Sequence, residues 1–124
     1  MVGFPRPFVP PQQQQPKADV FDFAELTSSG EDTVQINIYF TEDMDTGSWF
    51  PAGTFEIAFF NYLGSPELQA RYWVSNFTFR LVYLPFSDLP DSANVSYDGN
   101  EPGLRTAAGT PCAAFEALNI LPTA

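Results

Sequence analysis

The chain has 124 residues, 16% of them aromatic, and a formal net charge of -10 from 15 acidic and five basic residues. That length is room for one domain, and five scattered cations (Arg6, Lys17, Arg71, Arg80 and Arg105) release too few counterions to favour DNA or RNA, while an anionic membrane surface would repel the chain. With no histidine and a single cysteine, Cys112, the chain lacks the commonest general base and neutral metal ligand and cannot close an intrachain disulfide, so no cofactor is expected.

Residues 1–18 read as an extended arm ahead of a domain at 19–124. Pro5, Pro7, Pro10, Pro11 and Pro16 surround the run Gln12 to Gln15. Proline fixes φ and removes a backbone donor, which biases such a segment to an open polyproline-like course. The composition suits a plain tail or a docking arm; Phe4, Phe8 and Val9 are apolar anchors that a solubilising tail would not need. The opening residues lack the apolar run of a signal peptide, and no stretch reaches the length of a membrane span. The expectation is therefore a chain made in the cytoplasm that leaves by lysis or a specialised route, if at all.

Strand patterns follow the arm. Val20 to Phe23 alternates, with Phe21 and Phe23 expected on one face, and Ser28, Ser29 and Gly30 mark a turn. Val34, Ile36, Ile38 and Phe40 share one face of the clearest strand, opposite Gln35, Asn37, Tyr39 and Thr41, a pattern of half-buried antiparallel sheet. Residues 42–53 form an acidic, Gly/Pro-containing connection. Phe55, Ile57 and Phe59 mark a second alternating strand. Residues 61–69 read as a loop. In the aromatic stretch 71–84, Phe77, Phe79, Leu81 and Tyr83 define an expected inner face, with Trp73 in an earlier strand and a kink at Ser75-Asn76. Pro85 to Ser92 is a turn, Ala93 to Tyr97 a short strand, 98–111 mostly loop, and 112–120 a last strand, although its pattern also allows a helical turn. Short strands at regular spacing without an internal repeat predict an all-β fold, an antiparallel β-sandwich.

Two segments resemble a known family. IYFTEDMD, residues 38–45, resembles the strand-turn motif of bacterial immunoglobulin-like modules. Residues 94–120 are similar to the closing segment of the class named after the cyanobacterial motility protein SwmB, with Ser96, Tyr97, Leu104, Arg105, Ala107, Ala108, Gly109, Pro111, Ala113, Ala114 and Phe115 at the matching places. The chain departs in its aromatic middle, in Thr106 where an acidic residue is usual, and in the arm. The resemblance implies an immunoglobulin-like sandwich in a structural or adhesive setting, and no catalytic residue.

The remaining chemistry is sparse. No serine, nor Cys112, has an evident activating base. Glu42, Asp43 and Asp45 cluster in one connection. Asp43 and Asp45 are the best calcium candidates, but the motif lacks the Gly and distal Glu of an EF-hand loop, and a solvated turn is the simpler expectation. Trp49 and Phe50 sit beside Gly47, Pro51 and Gly53, where an aromatic pair serves either an interface or local packing. The expected function is a non-enzymatic virion structural protein of a bacteriophage: a capsid decoration, minor capsid or fibre-anchoring subunit. It would assemble as an oligomer with other virion or capsid proteins through Phe4, Phe8, Val9, Trp49 and Phe50, and reside in the virion. Two other expectations are a carbohydrate- or receptor-binding adhesin, extracellular or at a cell surface, and an acidic-site glycosidase using Asp43 and Asp45.

Overall fold

The computed structural model describes residues 17–28, 33–47, 49–60, 66–84 and 90–123. They form seven strands: β1 (Phe21–Ser28), β2 (Val34–Phe40), β3 (Phe55–Phe60), β4 (Glu67–Ser75), β5 (Thr78–Leu84), β6 (Ser92–Tyr97) and β7 (Phe115–Ile120), with a short 3₁₀ turn at Ala52–Thr54. The strands make two antiparallel sheets, ordered β1-β2-β5-β4 and β3-β6-β7. The fold is all-β, two sheets closed on one apolar core, as the alternation predicted.

Strand β2 sits inside its sheet, and its alternation has the expected result. Val34, Ile36, Ile38 and Phe40 are buried and meet Phe79 and Leu81 of β5 within the core, where Phe55, Val95 and Tyr97 enter from the second sheet. The rings of Phe55 and Phe79 stack across the two layers, 5.7 Å between centroids and 19° apart. Full burial of a side chain of this size contributes about 1.5–3 kcal/mol. This group of rings and branched chains is therefore what holds the layers together.

The chain at and before β1 also bonds to the segments that flank β7. Beyond the antiparallel ladder of β1 with β2, Ala18 bridges Cys112 and Leu26 bridges Pro122, both in parallel. Ala18 N–H donates to the Pro111 carbonyl at 2.8 Å, Ala113 N–H donates to the Ala18 carbonyl at 2.8 Å, and Lys17 Nζ donates to the Gly99 carbonyl at 2.6 Å. Lys17 and Ala18, assigned to the arm by composition, are thus bonded to the folded body.

Several strand expectations are corrected. Phe21 pairs with Phe40 but Phe23 pairs with Tyr39, so the ladder carries a bulge at Asp22. The extra residue sends Phe21 inward, where it stacks on Phe115 at 4.3 Å, and Phe23 outward, where it stacks on Tyr39 at 4.4 Å and is 48% exposed. Phe77 is not on the inner face: it sits in the two-residue β4–β5 turn with Asn76 and is 47% exposed, because the kink expected at Ser75-Asn76 is a full reversal. Residues 67–69, read as loop, open β4. The last strand forms as expected, at Phe115–Ile120. The turn expected at Ser28 to Gly30 and that at Pro85 to Ser92 lie mostly outside the described residues.

Candidate functional site

Strand β4 is an edge of the four-stranded sheet, and its alternating pattern sends Arg71 and Trp73 towards the core side. The connection after β2 folds over them and brings Thr46, Trp49 and Phe50 alongside. The result is a groove of about 400 Å³ lined by Thr46, Trp49, Phe50, Arg71, Tyr72, Trp73 and Phe79. Its floor is packed ring on ring: Phe50 lies 5.5 Å from Phe79 and 6.1 Å from Phe55, and Trp73 meets Phe79 edge-on at 4.9 Å. Its rim is Trp49, 69% exposed.

Arg71 gives the groove its polarity. Its guanidinium carbon stands 5.1 Å from the centre of the Phe50 ring, a cation–π contact. Nη1 is buried and donates to nothing. A buried donor without a partner carries a desolvation cost of about 1–3 kcal/mol, which a ligand supplying an acceptor would relieve. Among the described residues the lining holds aromatic rings and the Arg71 donor, and no carboxylate or thiol.

A second feature crosses the outer face of the same sheet. Glu25 Oε1 accepts from Tyr39 Oη at 2.7 Å and from Asn37 Nδ2 at 3.0 Å, and Arg80 Nε donates to Asn37 Oδ1 at 2.8 Å. Arg80 also lies over the Tyr72 ring, its guanidinium carbon 5.8 Å from the centroid. The stripe spans β1, β2, β5 and β4. Its groups are mutually satisfied, which explains why Asn37, on the polar face by sequence, is only 3% exposed. Donation to Glu25 raises the Tyr39 hydroxyl above its ordinary pKa, helped by burial and by the Glu25 charge.

The expected aromatic pair divides. Trp49 is presented to solvent, whereas Phe50 is 5% exposed and belongs to the core. Phe50 thus takes the local-packing alternative, its ring lying under Arg71. Phe4, Phe8 and Val9 lie outside the described residues. Of the acidic candidates, Asp45 Oδ1 accepts the Gly47 N–H at 3.0 Å, closing a tight turn, and the Asp43 carbonyl accepts the Ala107 N–H at 2.9 Å. Asp43 also lines a separate cleft with Asp22 and Glu42. Among the described residues no three His, Cys, Asp or Glu side chains gather as a metal ion requires. Arg71 and Trp73 were missed as site residues. The signal was present, since a cation on the apolar phase of a strand needs a partner, but only the fold shows that Phe50 is its neighbour.

No family model matches this chain, and neither a curated protein nor a solved structure matches it. No helix among the described residues is long and apolar enough to cross a membrane.

Proposed function

We propose that this chain is a non-enzymatic structural protein of a bacteriophage virion, an immunoglobulin-like sandwich that docks on neighbouring subunits through its N-terminal arm. The carrying observation is the aromatic groove with its unpartnered Arg71 donor, whose described lining suits contact rather than proton transfer. Support for the immunoglobulin-like type is the strand order. A four-stranded β1-β2-β5-β4 sheet faces a three-stranded β3-β6-β7 sheet, which corresponds to the ABED and CFG sheets of a constant-type immunoglobulin domain. The virion setting rests on the resemblance of residues 38–45 and 94–120 to immunoglobulin-like modules and on the proline-rich arm.

Purified particles compared with host lysate by mass spectrometry test the setting: enrichment of this chain in particles is expected, and its absence from them defeats the reading. Removal of residues 1–16 tests the arm, with a folded body that no longer joins its assembly as the expected result.

One observation favours a second reading. Trp49, a large flat ring exposed beside a cationic donor, suits the face of a sugar, so a glycan-binding adhesin would use the same groove. Glycan-array binding that disappears in Trp49→Ala would support it, and particle assembly without any glycan binding would count against it.

A further inference from the structure

We propose that the groove at Trp49 and Arg71 receives the proline-rich segment, residues 5–11, of a second copy of this chain; the inference rests on the arm being the docking element. Two observations carry it.

The first is chemical fit. Proline rings lie well on aromatic faces, and an extended proline-rich segment makes no internal hydrogen bonds, so its carbonyls remain free to accept. The groove offers Trp49 and Trp73 as faces and Arg71 Nη1 as a buried donor that lacks an acceptor. The segment reads Pro5-Arg6-Pro7-Phe8-Val9-Pro10-Pro11, with two prolines three apart at positions 7 and 10.

The second is charge. Residues 1–16 contain Arg6 and no acid, a formal +1. The remaining 108 residues hold all 15 acidic groups and the other four basic ones, which is 4 − 15 = −11. Arm and body attract each other, and two bodies without arms repel.

Sedimentation velocity and native mass spectrometry of the full chain test this. Wild type is expected to associate, more weakly as salt is raised. Trp49→Ser in the groove and a Pro7→Ser/Pro10→Ser double variant in the arm are each expected to weaken association about tenfold or more, with melting curves like wild type. Trp49→Phe, which keeps a ring, is expected to retain most of it. An equimolar mixture of the groove variant and the arm variant should form a heterodimer, since one supplies an intact arm and the other an intact groove. The two tryptophans of the chain both line the groove, so wild-type emission should change with protein concentration.

Association of the Trp49→Ser variant at wild-type strength, while the arm variant fails, overturns the groove and leaves the arm reading standing. Wild-type association by the arm variant overturns both. A wild type that stays monomeric at every concentration, or tryptophan emission that depends on the arm but never on dilution, overturns the exchange between copies.

Discussion

Cys112 is 1% exposed, bridged to Ala18, and its thiol donates to the Ala113 carbonyl at 3.3 Å. Burial pushes its pKa from 9.0 to about 12, and burial likewise raises the Tyr83 and Tyr97 hydroxyls from 10.0 to about 12. A thiol held protonated is a poor nucleophile, so a disulfide reagent at pH 8 is expected to modify unfolded chain rapidly and native chain only at the rate of opening. The same shifts set a pH dependence. In the unfolded chain these groups lose their protons from about pH 9 to 10, whereas the folded chain keeps them to about 12. The stability they contribute is therefore complete below pH 9 and is lost as the pH rises towards 12, at up to about 1.4 kcal/mol per pH unit for each deeply buried group. Urea midpoints should be flat from pH 7 to 9 and fall beyond 10; a midpoint unchanged at pH 11 would contradict this.

Tyr97 has a further role at its hydroxyl, which accepts the Leu104 N–H at 2.8 Å and ties the loop after β6 onto the core. Gly103 is pressed against that hydroxyl and the Asn100 carbonyl, so an added Cβ would overlap both. Gly103→Ala is expected to cost about 2–3 kcal/mol or more by urea unfolding, because the loop must move off a buried hydrogen bond. Stability equal to wild type would show the loop to be slack.

At the scale of elements, β1 is the informative strand. Its bulge makes two phenylalanines of the same phase do different work, one in the core and one on the outer face. Phe21→Ala should cost about 3 kcal/mol by removing a ring stacked on Phe115 inside the sandwich, and Phe23→Ala about 1 kcal/mol or less by removing an outer stack. Equal losses from the two would show that the strand runs without its bulge. Strand β2 presents the opposite case. Every inward residue was legible from period two, because β2 is paired on both edges and nothing interrupts its ladders with β1 and β5. Bulges and tight reversals leave no periodic trace, which is why Phe23 and Phe77 were placed on the wrong face.

At the scale of the molecule, the fold ties its N-terminal entry to its C-terminal exit through parallel bridges at Ala18–Cys112 and Leu26–Pro122. A truncation lacking residues 1–16 is expected to melt within about 1 kcal/mol of the full chain. Extending the cut through Ala18 should cost a further 1–3 kcal/mol or so, since Pro111 and Ala113 then lose their backbone partner. Differential scanning of the two truncations reads the difference; identical melting would place the body's boundary after Ala18. With residues 1–16 gone the body carries a formal −11, so low salt should keep truncated bodies apart.

The amino-acid order by itself determined the all-β class, the inner face of β2 and the inward residues Phe79 and Leu81, because period-two alternation and turn residues are local properties of the chain. It also marked Trp49 and Phe50 as a pair worth attention and separated a basic, proline-rich arm from an acidic body. The tertiary structure alone decided that the pair splits into a rim and a floor, that Arg71 stands over Phe50 with a donor to spare, and that Phe21 and Phe23 part company. Those outcomes depend on which strands become neighbours and on one inserted residue in a ladder, and contacts between distant segments are not encoded in the spacing of either segment.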